Sequence, residues 1–228
     1  MSTALQKAVE FIFSGSALLK DIIGVTLRMS LASSLAALLI GVPLGIILGS
    51  GSFPGKRILI VLNRTLMGLP PVVCGLLCYL MFCGVGPLRH LKLLYTVKGM
   101  VIAQIILITP IVVGMMEPFI SSVYPSMRET ARGLGISKGR TLGLVINESR
   151  YQIISTYLMA LSRALAEVGA VSMVGGAIAY KTNVMTTAIM NFTNMGNFTT
   201  ALALGIILLA ISLAVNIVVS LMQGGADR

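Results

Sequence analysis

The chain has 228 residues, 56% of them hydrophobic and only 11% charged, with no tryptophan and a formal charge of +10. An ordinary soluble domain carries about 25% charged residues, so this chain lacks the ionised groups to cover a globule and its spare apolar surface must face lipid. The basic excess does not indicate a nucleic-acid partner. The lysines and arginines sit mostly between the apolar runs, where membrane proteins carry them in loops and cytoplasmic ends.

Residues 1–21 mix apolar residues with Lys7, Glu10, Lys20 and Asp21, the pattern of an amphipathic helix lying at the interface. They lack the basic start, apolar stretch and small-residue cleavage site of a secretory signal, so the first long apolar run is expected to remain as an anchor. No ionisable residue occurs from Met29 to Gly55, from Thr65 to Leu88, from Gly99 to Met116 or from Thr182 to Ala226, and Tyr151 to Tyr180 contains only Arg163 and Glu167. Crossing the ~30 Å hydrocarbon core takes about 20 apolar helical residues, and in lipid the backbone must satisfy its own hydrogen bonds. Barrel strands would read as alternating segments of ~10 residues, a pattern absent here. The prediction is therefore all-α: a polytopic membrane protein of about five transmembrane helices, at roughly 22–50, 58–83, 99–120, 151–178 and 200–223.

Pro43 permits a bend in the first span, and the Gly/Pro-rich turn 51–57 leads into the second. Pro70-Pro71 can donate no backbone hydrogen bond, so the second span should kink or open there, as a flexible gate or as a static bend. Cys74, Cys78 and Cys83 have no histidine or carboxylate beside them in sequence and read as packing residues, with no metal site; His90 reads as a solvated loop residue. The longest polar segment, 121–150, is expected to be a cytoplasmic loop, and 179–199 a Thr/Asn-rich loop. Placing 51–64 and 121–150 inside puts nine basic residues in the cytoplasm against seven outside, which sets the N-terminus outside and the C-terminus inside.

Within 121–150 the sequence reads Glu129-Thr-Ala131-Arg-Gly-Leu-Gly135, with Val145 ten residues on. This resembles the Glu-Ala-Ala loop of ATP-binding-cassette importer permeases, in which the glycine follows three residues later and an Ile-x-Leu-Pro closes the motif. Glu129, Ala131 and Gly135 match in register and Val145 takes the Ile position, whereas Thr130, Asn147 and Glu148 depart from the pattern. The resemblance implies a coupling element docked on an ATPase, and small residues there permit close approach of a partner surface. Gly41-Val-Pro-Leu-Gly45, Leu69-Pro-Pro-Val-Val-Cys-Gly75 and Ser162-Arg-Ala-Leu-Ala-Glu-Val-Gly-Ala170 are similar to segments of molybdate/sulfate-type permeases. Glu167-Val-Gly-Ala-Val171, Gly175-Gly176 and Val184-Met-Thr-Thr-Ala-Ile189 look most like the tungstate branch of that group.

The family implies a type I importer fold in the cell (inner) membrane, acting as a homodimer with two cytoplasmic ATPases and an extracytoplasmic binding protein. ATP and Mg are expected in the ATPase partner and no cofactor in this chain, which contains no Gly-x-x-x-x-Gly-Lys-Ser/Thr sequence and no nucleophile–base arrangement. A non-catalytic subunit is thus expected. A gradient-driven secondary transporter would show internal repeats and several intramembrane acids, whereas here only Glu167 lies deep in a span.

Arg163 and Glu167 are the ionisable residues deep inside a span, four apart and therefore on one helix face. They are open to two readings: a neutralised pair that locks the span to its neighbours, or a pathway lining in which Arg163 attracts an oxyanion and Glu167 limits how tightly it is held. Thr186, Thr187, Asn191 and Asn194 could add hydrogen bonds at the outer mouth.

Overall fold

The computed structural model describes residues 17–224, with side chains described as far as 217. The interfacial segment expected for 1–21 thus lies outside the described residues, apart from 17–21, which form the first turn of a long helix. Among the described residues every regular element is helical. The elements are α1 (Ala17–Ser50), α2 (Lys56–Met67), α3 (Pro71–Phe82), α4 (Val97–Gly133), α5 (Lys138–Glu148), α6 (Arg150–Leu165), α7 (Gly169–Gly175), α8 (Met185–Asn194) and α9 (Phe198–Gly224), with a short 3-10 turn at Arg89–Leu91.

The pairing of α1 with α4 organises the bundle. Gly41, Gly45 and Gly49 recur every fourth residue, on one face of α1. They seat Val112, Met116 and Ile120, which have the same spacing on α4. A Cβ added at Gly45 would lie 2.5 Å from Met116 Cβ, and one at Gly49 would lie 2.5 Å from Ile120 Cβ. Small residues at this spacing let helix backbones approach closely, the main source of association where lipid supplies no hydrophobic drive. About two turns earlier, Ser33 Oγ donates to Gln104 Oε1 at 2.5 Å.

Residue numbers climb together along both helices, so α1 and α4 run parallel. The chain between them must then return to its starting side. It does so through α2 and α3, bent by 99° at the Pro70-Pro71 break. Lys56 Nζ donates to the Gly51 carbonyl, Asn63 Nδ2 to the Pro110 carbonyl, and Cys74 Sγ to the Ala103 carbonyl. Tyr95 N–H then donates to Val174 beside the start of α4. The contacts descend α4 from the level of Ile120 to that of Gly99, roughly 30 Å, one hydrocarbon thickness.

A second return follows α5. Thr156 on α6 meets Met116 while Gln104 Nε2 donates to the Ala164 carbonyl at 2.9 Å, so α6 runs antiparallel to α4. The expected fourth span, 151–178, is interrupted: α6 and α7 meet at 56° across Ala166–Val168. The third helix also differs from a 99–120 span followed by a loop, because α4 continues unbroken to Gly133 despite Pro110, Pro118 and Pro125. Three described helices are long and apolar enough to cross a membrane, or five when each bent pair is one span.

Segment 179–199, expected as a loop, contains the ten-residue helix α8. Its start is built by Thr187 Oγ1, which accepts from Val184 N–H and donates to Asn183 Oδ1. Its end is a left-handed turn at Gly196, φ 74°. Met185 and Ala188 of α8 pack with Leu19, Ile22 and Leu204, which brings α8 and the start of α9 to the end where α1 begins.

Candidate functional site

The last turns of α4 and the helix α5 form a shoulder at the opposite end. Glu129 is exposed on α4, while Ala131, two residues on, is 3% exposed and packs inward. Gly135 sits at φ 70°, its N–H donating to the Arg132 carbonyl while Ile136 N–H donates to Ala131. That pair of bonds is a Schellman turn, which satisfies the last helical carbonyls and favours glycine at the left-handed position. The chain then reverses into α5, whose Val145 is fully buried. Glu129 and Ala131 therefore lie on the end of the long helix, and the short helix begins only after Gly135. Leu134 is 71% exposed at the tip, beside a cleft of about 170 Å³ lined by Ser126, Met127, Thr130, Ala131, Ile136 and Leu144. Arg132, Lys138 and Arg140 stand exposed around it. An apolar tip in a basic ring can dock on a partner surface.

The second constellation sits where the broken spans meet. Gly169 backs onto Pro71 and Val72, where an added Cβ would come within 2.9 Å of Val72 Cγ2, and Gly75 backs onto Ala170. The two breaks are thus packed against each other. Arg163 Nη1 lies 3.0 Å from Glu167 Oε2, with the arginine side chain 33% exposed and the glutamate 4%. The other carboxylate oxygen accepts from Ala170 N–H at 3.1 Å. Glu167 therefore leaves the α6 helix to cap the start of α7, the physical cause of an interruption that has no proline at it.

Thr186 and Thr187, expected at an outer mouth, are buried and already engaged. Thr186 Oγ1 donates to the Glu167 carbonyl at 2.8 Å and Thr187 Oγ1 to Asn183. Asn191 is half-buried and Asn194 exposed at the end of α8. Sequence reasoning missed Gln104. It is fully buried, accepts from Ser33 and donates to Ala164, joining α1, α4 and α6 three residues from Glu167. Its signal was present, a lone amide inside the uncharged run 99–116. No group of three or more His, Cys, Asp or Glu is placed to hold a metal among the described residues.

Residues 41–228 match the family of binding-protein-dependent transport system inner membrane components. The chain belongs to this family. The permease is 32% identical over 223 residues to the tungstate uptake system permease protein TupB of Peptoclostridium acidaminophilum, covering 98% of each chain. It is 36% identical over 203 residues to a probable anion ABC transporter permease protein of Haloferax volcanii, covering 87% of this chain and 88% of that one. Its fold superposes on a chain of the inward-facing MetNI methionine ABC transporter with a TM-score of 0.76 at 16% identity, covering 92% of the permease and 97% of that chain. The permease thus has the helical importer architecture expected from its sequence.

Proposed function

We propose that this permease carries tungstate inward, as one of two identical membrane subunits joined to two cytoplasmic ATPases and served by an extracytoplasmic binding protein. The cargo reading is carried by the end-to-end similarity to a permease named for tungstate uptake. The segments that resemble the tungstate branch also converge in space: Thr186 Oγ1 donates to the Glu167 carbonyl, and Val184 shares a buried cluster with Val171.

In this reading the shoulder of Glu129, Ala131 and Gly135 docks on an ATPase and lies in the cytoplasm, with the N-terminus outside. Nucleotide-driven closure of the ATPases pulls the end of α4, an unbroken helix roughly 55 Å long, and so moves the bundle core. Arg163 carries five N–H donors and is one-third exposed, so its pairing with Glu167 leaves donors free for a passing oxyanion. Glu167 tempers that attraction, because conduction requires release as well as capture.

Cellular tungsten and molybdenum, measured by elemental mass spectrometry with the chain deleted and restored at low external oxyanion, test the cargo. Loss of tungsten alone supports the reading. Parallel loss of both metals makes the system a shared or molybdate-type importer. No loss of either, in a strain without redundant importers, removes the cargo assignment.

A further inference from the structure

Between α1 and α2 the permease carries an open apolar groove of about 360 Å³, lined chiefly by Leu44, Ile47, Phe53, Leu59, Leu62 and Leu66. The polar member of its wall, Asn63, is already committed to the Pro110 carbonyl at 3.0 Å. α2 buries none of its residues against the rest of the chain. Its groove face runs through 59, 62, 63 and 66, and one turn earlier the edge of that face carries Lys56, while Arg57 shares the same first turn but points round the helix away from the groove.

Lys56 Nζ donates to the Gly51 carbonyl at 3.1 Å and lies 3.5 Å from that of Gly49, which leaves a proton for another acceptor. Arg57 is exposed and pairs with no described carboxylate. Glu117 stands on the far side of Asn63, in a separate small cleft with Arg64, its Oε1 accepting from Ser121 Oγ.

The level of these cations is fixed by their neighbours. Gly49 packs on Ile120, and α4 runs on from Ser121 to Gly133, roughly 20 Å further. Lys56 and Arg57 therefore stand where hydrocarbon gives way to headgroups. A second copy of the chain would bring no free acid to this level among the described residues. Glu117 and Glu167 are buried and bonded, Asp21 lies at the other end, and Glu129 and Glu148 sit out on the shoulder.

An apolar groove with Lys56 at the edge of its end, and Arg57 at the same depth on that helix turn, fits an acyl chain with a negative head. We propose that the groove holds an anionic diacyl phospholipid of the leaflet in which α1 ends, its chain between α1 and α2 and its phosphate on Lys56, with Arg57 adding positive charge at the same level. This rests on the membrane placement of the family and is independent of the cargo.

The test uses the purified permease–ATPase complex in nanodiscs with phosphatidylglycerol carrying a photoreactive acyl chain, alongside the matching phosphatidylcholine probe. The expected result is phosphatidylglycerol adducts on peptides of 44–48 and 59–66, falling by roughly tenfold in Lys56→Gln/Arg57→Gln. Phe53→Ser, which changes the groove wall and leaves both charges, should weaken the adducts of both probes. Equal labelling by the two probes, or adducts insensitive to the charge variant, overturns the proposal. So does an absence of adducts with ready disulfide formation between two copies carrying Leu62→Cys, which assigns the groove to the second subunit.

Discussion

At Glu167 a single carboxylate bridges two helix segments, and its two oxygens have separate duties. Oε2 pairs with Arg163 on α6 and Oε1 caps α7. Glu167→Ala removes both contacts. Arg163 is one-third exposed, so the loss falls below the ~3–5 kcal/mol of a fully buried pair broken on one side. About 2 kcal/mol is expected, read as a melting temperature in detergent lower by about 5 °C. Arg163→Gln should leave the complex assembled and cut tungstate uptake. The double variant Arg163→Gln/Glu167→Gln separates the two roles, because it keeps hydrogen bonding and removes both charges. Recovered melting with uptake still low supports a passage role for Arg163, while recovery of both reduces the pair to a lock between the broken spans. Gly135 offers a different kind of test. A Cβ there would meet nothing within 4 Å, so Gly135→Ala costs only the left-handed conformation, about 1 kcal/mol. Its expected signature is a folded complex that moves less tungstate per ATP hydrolysed, with Gly135→Asn retaining more, since asparagine tolerates that turn better. Unchanged coupling in both variants would remove the Schellman turn from the mechanism.

Among the elements, the α1–α4 seam sets three successive glycines of one helix face directly against the side-chain stems of its partner helix. Gly45→Ala forces a Cβ onto Met116 Cβ, and because both atoms are fixed to helix backbones the helices themselves must separate. A destabilisation of roughly 1–3 kcal/mol is expected, with a larger residue at 45 preventing assembly. Gly205→Ala on α9 is the control: its Cβ would meet open space, so it should be neutral or stabilising by up to about 1 kcal/mol. Melting temperature and yield of the two variants, compared in one detergent, check this. The helices themselves were legible because apolar runs interrupted by few charges identify them, and the Pro70-Pro71 dipeptide announced the first break. The second break left no such mark, since Ala166-Glu-Val168 reads as ordinary helix until Glu167 is seen to cap α7. α8 was misread as loop because Thr and Asn were taken as loop residues; here Thr187 and Asn183 build a helix start, and Asn194-Met-Gly196 is a stop signal that was available. The period of four shared by Gly41, Gly45 and Gly49 was equally visible. Its partner on α4, and hence the parallel direction, was not, because sequence periodicity names a face and never what the face meets.

For the whole molecule, the parallel run of α1 and α4 fixes how many times the chain crosses. Two parallel helices joined by residues 51–96 require an odd number of crossings between them, so the α2–α3 pair counts as one despite its 99° bend. The antiparallel α6 then brings the chain back to the end where α1 begins, and α8 packs there beside Leu19 and Ile22. α8 and α5 must therefore face opposite sides of the membrane. In a background lacking Cys74, Cys78 and Cys83, single cysteines at Asn194 and Ser137, both exposed, convert this into a labelling result. A membrane-impermeant maleimide should modify Asn194→Cys in intact cells and Ser137→Cys only after lysis, since the proposed orientation puts the basic shoulder on the cytoplasmic side. Reversed accessibility would invert the orientation while keeping the five crossings. Labelling of both positions from the same side would mean that one bent pair enters and leaves by the same face, and would break the link between shoulder and core on which the coupling mechanism depends.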